Sequence, residues 1–240
     1  MLKPNQKSKS PKKSQVEKMF DSISFEYDLI NGIMTFNSHK KWKKNILNIA
    51  KKVKPKNALD IATGTADIAI NLGSISNCKV VGVDISEQML NVGREKITKM
   101  KLGKSVRLES GDAENLNFKD NYFDLVTIGF GVRNFQDLEK GLSESFRVLN
   151  EKGTLIILET SVPENRIMKF LYTLFTRIYI PIIASIFSKD KLAYIYLLNS
   201  AELFPSGTKF SEILKSVGFS DVEIKPKLFG SSTIYVCKKK

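Results

Sequence analysis

Three acidic residues stand where apolar runs stop, and their order along the chain suggests chemistry. Asn57-Ala-Leu-Asp60-Ile-Ala-Thr63-Gly64-Thr65 reads as a strand turning through glycine into a helix. Val80-Val-Gly-Val-Asp84 is a second strand whose terminal carboxylate lies 20 positions after Gly64. A carboxylate so placed accepts both hydroxyls of a ribose. Gly111-Asp112-Ala113 closes a third strand; Asp112 could accept from an adenine amino group, and small Ala113 lets the ring approach. Each feature alone would also suit an ordinary turn or helix cap. Together they read as a nucleoside-cofactor site.

The first turn narrows the cofactor. A pyrophosphate needs several glycines at a helix N-terminus. Here the turn offers Gly64 and then Ala66-Asp67, so a carboxylate stands where a phosphate would sit. Asp60 and Asp67 suit instead a ligand carrying an amine and a sulfonium. The expected cofactor is therefore S-adenosylmethionine, with Gly64, Asp84, Asp112 and Ala113 facing it.

The elements around these residues alternate. Strands and helices follow one another from 57 to 159, the pattern of an α/β protein with a parallel sheet covered on both faces. Before it, helices are expected from Ser14 and over Lys40–Val53, with Phe25–Asn31 as a loop and turn. Residues 1–14 read as a basic flexible tail, and 15–240 as one domain that includes the N-terminal helices of 15–54. After the sheet, 163–200 carries a long apolar stretch interrupted by Arg177 and Pro181. Two cap helices with an apolar, membrane-contacting face are expected there, rather than a transmembrane span. Val222–Lys225 and Ser232–Cys237 read as closing strands, the second antiparallel.

Composition excludes several classes. Two cysteines, one histidine and no C-x-x-C leave little for a metal site or a Cys/His nucleophile. No metal is expected. The chain is basic, with net charge +13, but its lysines are scattered without arginine-aromatic interleaving. That balance suits attraction to an anionic membrane surface better than a nucleic-acid groove. A base amino-group methyltransferase would carry Asn/Asp-Pro-Pro-Tyr/Phe after the fourth strand, where this chain has Gly129-Phe-Gly-Val-Arg133. Nucleic acid is therefore not an expected partner.

Longer blocks are also present: Tyr27-Asp28, Ser38-His-Lys-Lys-Trp42, Gly82-Val-Asp-Ile-Ser-Glu-Gln-Met-Leu90, Gly111-Asp-Ala-Glu-Asn-Leu116, Phe130-Gly-Val-Arg-Asn134 and Arg147-Val-Leu149. With them the chain resembles the ubiquinone/menaquinone-biosynthesis C-methyltransferases over most of its length. The resemblance implies a class I, Rossmann-like fold with a mostly parallel seven-stranded sheet, its last strand antiparallel, and a helical cap insertion near 163–200. It implies Thr63, Asp84, Asp112 and Ala113 as cofactor contacts. It implies C-methylation of a polyprenylated quinol, most simply demethylmenaquinol, with a benzoquinol as the alternative ring. A non-catalytic quinone-binding scaffold is a further alternative, which the intact strand-end acids disfavour. Arg133 is the candidate to stabilise a developing phenolate, or else forms a salt bridge with Asp137 or Glu159. His39, the only histidine, is a candidate general base or a packing residue beside Trp42. Tyr27 could close over the methionine end. A cytoplasmic protein on the inner face of the membrane is expected, with transient membrane contact and self-association as a homodimer. Where the family has Gly-Thr-Gly-Asp, this chain has Ala66.

Overall fold

A computed structural model describes residues 2–188 and 190–240. Three helices lead in: α1 (Lys12–Ile23), α2 (Tyr27–Met34) and α3 (Ser38–Val53). The alternating core follows as β1 (Asn57–Ile61), α4 (Asp67–Leu72), β2 (Lys79–Asp84), α5 (Glu87–Lys99), β3 (Val106–Ser110), β4 (Phe123–Gly129), α6 (Leu138–Val148) and β5 (Leu149–Thr160). The cap comprises α7 (Arg166–Leu174), α8 (Ile180–Phe187) and α9 (Lys191–Leu203). The chain then closes with α10 (Thr208–Val217), β6 (Ser220–Lys227) and β7 (Ser232–Lys238).

The seven strands form one sheet in the order β3-β2-β1-β4-β5-β7-β6. All pairings from β3 to β5 are parallel, and β7 runs antiparallel to both β5 and β6. The expected class I architecture is present. Alternation along β1 divides two cores. Leu59 and Ile61 pack with Leu142, Phe210 and Leu214 on the α6/α10 face, whereas Ala58 packs with Ile46, Ala50, Ala69 and Ile97 on the α3/α4/α5 face. This is the period-2 consequence of the pleat. Helix starts are set by local oxygens: Ser86 Oγ accepts from Met89 N for α5, and Asp137 from Lys140 N for α6. Stops are set by backbone, as at Lys54 (φ 55°) before Pro55 and at Gly218 (φ 116°).

Several boundaries differ from expectation. Phe25–Asn31 is not a loop, because α2 begins at Tyr27. Its eight residues include Asn31 and Gly32, too short and weak a helix to stand alone. Burial of Ile30 and Met34 against the cap stabilises it. Helix α1 begins at Lys12, inside the expected tail, because the Lys12 side chain is itself buried. Its Nζ donates to the carbonyls of Arg133 (2.9 Å) and Phe135 (2.7 Å). Strand β5 begins as early as Leu149, which pairs with Phe123 across a bulge.

In the cap, helical winding is continuous from Arg166 to Phe187, and α9 supplies the second cap helix. Pro181 removes a backbone donor inside this helix. The wider π-type turn at Phe175–Tyr179 just before it absorbs the disruption. Among the described residues this helix alone is long and apolar enough to cross a membrane by length and composition. One stripe of it nevertheless belongs to the protein: Ile180, Ile183 and Ala184 pack with Ile30, Met34 and Tyr194. The opposite stripe, Phe170, Leu174, Ile178, Ile182 and Ile186, recurs every fourth residue and is exposed.

Candidate functional site

The strand order reverses between β1 and β4, and the crevice at their carboxyl ends is the place where such sheets hold ligands. A buried carboxylate ties this point together. Asp60 accepts from Thr63 Oγ1 in the turn after β1 and from Thr127 Oγ1 on β4, both at 2.6 Å. Burial outweighs these bonds and raises its pKa to about 6. Next to it, Gly64 adopts φ +55° and its N–H donates to Asp84 Oδ2 at 2.8 Å. The other Asp84 oxygen accepts from Ser86 N at 2.9 Å. A Cβ built on Gly64 would meet nothing within 4 Å, so its open side faces empty crevice.

That crevice is lined by Gly64, Asp84, Asp112 and Ala113, with Ala62, Gly129, Phe130 and Asn134. Four of the five sequence-proposed cofactor residues thus share one cavity. Thr63 stands just behind it, its hydroxyl turned to Asp60. The chemistry of the lining fits an adenosyl ligand: a glycine floor open to the ligand, a strand-end carboxylate, and a second carboxylate beside Ala113. Asn134 adds a buried Oδ1 without a partner. Its amide donates to the Phe130 carbonyl, while Asp137 caps α6.

Helix α1 forms the outer wall, contributing Lys13, Val16 and Phe20. Lys13 Nζ reaches Asp112 Oδ2 at 2.5 Å. Asp21 accepts from Ser86 Oγ at 2.6 Å and so fastens α1 to the start of α5. Neither lysine nor wall was legible as part of the site, because the segment resembles solvated tail until the fold brings it across.

Asp67 does something other than its charge suggested. It lies outside the cavity and is held by Lys43 (2.7 Å) and Lys96. Lys96 also bonds Asp28 (2.9 Å) and Thr65 Oγ1 (3.1 Å). Burial alone would raise the Asp67 carboxyl, but the two lysines overcome it and hold the pKa at about 2. The carboxylate is a clamp among α2, α3, α4 and α5 rather than a partner for a cationic ligand. The Ala66 methyl is fully buried in the same region and faces Gly93 of α5, away from the crevice.

A second cavity of about 620 Å³ adjoins the first. Tyr27 and Phe130 line both. Its remaining walls are mainly apolar, from Met34, Trp42, Leu171, Phe175, Leu197 and neighbours. Two sequence-proposed residues appear here, His39 and Arg133. His39 Nδ1 lies 2.6 Å from Thr35 Oγ1. Burial, then the Lys43 charge, lowers the imidazole to a pKa of about 4, so the ring is neutral at pH 7. Arg133 pairs with buried Glu159 at 2.5 Å, the second of the two partners the sequence suggested. Its Nη1 also donates to Phe130 O (2.9 Å) and its Nε to Ser200 Oγ (3.3 Å). A guanidinium has five N–H donors, more than these contacts use.

Residues 6–239 match the ubiE/COQ5 methyltransferase family. A protein from Bacteroides fragilis named demethylmenaquinone methyltransferase is 40% identical over 229 residues, covering 95% of this chain and 94% of its own. Proteins of the same name from Chlorobaculum parvum (38% over 232 residues, 95% and 93%) and Staphylococcus saprophyticus (39% over 227 residues, 94% and 96%) are similar. Among solved structures, a SAM-dependent methyltransferase from Thermotoga maritima aligns with a TM-score of 0.63 at 20% identity, covering 94% of this chain and all of that one. One from Aquifex aeolicus aligns at 0.59 and 18% identity, covering 95% and 98%. At such identities the structures establish the fold alone.

The Asp67 clamp makes a pH prediction. Its folded pKa lies below the ordinary 3.8, so its stabilisation is complete above that value and is lost as pH falls toward 2. Asp67→Asn should cost roughly 2–3 kcal/mol at pH 7, somewhat less than a fully buried pair because the site is partly exposed. Between pH 4 and 2 the wild type should lose stability more steeply than the variant. Urea titrations across that range check both.

Proposed function

This chain belongs to the ubiE/COQ5 methyltransferase family, and on that premise we propose that it methylates a ring carbon of a polyprenylated quinol, converting demethylmenaquinol to menaquinol. The observation that carries the reading is the adjoining pair of cavities. A crevice suited to an adenosyl ligand meets a larger, mainly apolar cavity, with Tyr27 and Phe130 at the junction. An aromatic ring and part of an isoprenoid tail match the size and polarity of the second cavity. The similar curated proteins carry the corresponding name.

When bound, S-adenosylmethionine supplies an electrophilic methyl on a positively charged sulfur. The protein's share is binding, orientation, exclusion of water and charge. Gly64 presents backbone to the ligand, Asp84 accepts from the ribose, and Asp112 with Ala113 holds the adenine. Thr63 acts from behind by fixing the turn through Asp60. Adenine and Lys13 then compete for Asp112, so ligand binding loosens α1 from it. On the other side, orientation in a dry site supplies much of the rate, within the roughly 7–11 kcal/mol attributed to ideal positioning. Arg133 stabilises negative charge developing on a ring oxygen, its own position fixed by Glu159 and Phe130 O. His39 has too little proton affinity to act as an efficient base near neutral pH. Its role here is to hold Thr35 and the cavity wall.

The exposed stripe of α7–α8 supports a cytoplasmic enzyme resting on the inner membrane surface. Arg166, Lys169 and Arg177 are exposed beside the apolar residues, a pairing suited to anionic lipid. On this reading 163–200 is the cap of a single domain, and the tail ends before Lys12.

Transfer from labelled S-adenosylmethionine to reduced demethylmenaquinone in detergent tests the activity, beside a demethylated benzoquinol and bulk RNA. Label in the naphthoquinol lipid is expected. Label in neither lipid, with cofactor still bound, would remove the quinone assignment. Arg133→Met should keep cofactor affinity while kcat falls about 100-fold, the scale for losing a donor aimed at developing negative charge. Phe170→Ser combined with Ile182→Ser should reduce flotation with phosphatidylglycerol vesicles and leave turnover in detergent near wild type.

A further inference from the structure

The mouth of the apolar cavity is built from two loop tips that hold bulky residues in an unfavourable backbone conformation. At the α2–α3 tip, Phe36 and Asn37 take φ 47° and 57°. At the tip between β6 and β7, Leu228 and Phe229 take φ 41° and 55°. The left-handed region suits glycine and disfavours an aromatic side chain. Both phenylalanines are nevertheless exposed, Phe36 by 70% and Phe229 by 75%. Both line the same cavity, as do the exposed side chains of Leu171 and Leu228. An exposed ring held against the preference of its own backbone, on each of two separate tips at one opening, points to a role for the opening.

The opening is continuous with the cap's apolar stripe. Phe36 stacks on Tyr179 with ring centroids 5.4 Å apart and lies 6.2 Å from Phe175. Phe175 in turn stacks on Tyr179 at 4.9 Å. Phe175 and Tyr179 stand on the helix that exposes Phe170, Leu174, Ile178 and Ile182, and Phe36 and Phe175 also line the cavity, so this aromatic group joins that face to the cavity. A hydrocarbon chain can pass along this path while staying in apolar contact, whereas a route through water would expose it at about 25 cal/mol per Å².

We propose that Phe36 and Phe229 frame a lateral portal through which the prenyl tail of the quinol runs from the bilayer into the cavity. The inference rests on the quinol reading above and adds the path by which a membrane-held substrate reaches the ring site. The occupant is the substrate's own tail. Ring recognition belongs to the opposite end of the cavity, at Tyr27 and Phe130, where it adjoins the cofactor crevice. The two tips therefore sense tail length and not ring chemistry.

Phe229→Gly separates this role from folding, because glycine suits the backbone there, whereas Phe36→Gly also removes the stack on Tyr179 and serves as the comparison. Phe229→Gly and Phe36→Gly would be assayed with a long-tailed demethylmenaquinol in phosphatidylglycerol vesicles and with a tailless 1,4-naphthoquinol in solution. Thermal unfolding would be followed in parallel. The expected result for Phe229→Gly is a loss of kcat/KM on the order of tenfold for the tailed substrate, the scale of lost apolar contacts in a pocket. Turnover of the tailless ring and thermal stability should hold or rise. Equal losses on both substrates, or no loss on the tailed one, would overturn the portal. A wild type inactive on both rings, with cofactor bound, would instead overturn the quinol reading and the portal with it.

Discussion

The bond from Gly64 N–H to the Asp84 carboxylate joins the ends of β1 and β2 and sets the shape of everything around it. It requires a residue free to take φ +55° at the first turn, and a carboxylate at the tip of the next strand. It also requires parallel strands in register, which the Asp60–Gly82 and Ile61–Val83 pairs provide. Asp60 extends the same linkage to the other side of the switch point through Thr63 and Thr127. The floor of the crevice is tied to both neighbouring turns by buried acids, and it is open because glycine leaves space above that floor.

Against this fixed floor the outer parts are attached by a small number of polar clamps. Lys12 pins α1 to the carbonyls after β4, Asp21 fastens it to Ser86, and Lys96 gathers Asp28, Thr65 and Asp67. The Arg133–Glu159 pair lies deeper and carries a desolvation cost that a pair of apolar residues would avoid. These contacts are between elements distant in sequence, so each helps to define how the helical wall and cap sit over the sheet.

The strand-end acids and the alternating pattern were legible because they depend on local spacing. A strand must end, its last side chain must project from the sheet's edge, and the next turn must be tight. Asp84, Asp112 and Gly64 follow from those facts. The clamp role of Asp67 was not legible, since a carboxylate near a glycine turn has the same appearance whether it meets a ligand or two lysines from α3 and α5. Helix α2 escaped notice for a related reason: its stability comes from packing under the cap and not from its own eight residues. The tail boundary shifted because burial of Lys12 depends on carbonyls more than a hundred residues away.

Sequence by itself determined the α/β order, the residues at the strand tips and the family, all consequences of short-range pattern. Tertiary structure alone decided that Tyr27 and Phe130 divide two cavities and that α1 walls the first of them. It also decided that one stripe of an apolar cap helix packs inward while the other faces out. Those outcomes depend on which surfaces meet across long loops, and hydrophobic burial, being non-directional, does not reveal its partners in a linear text.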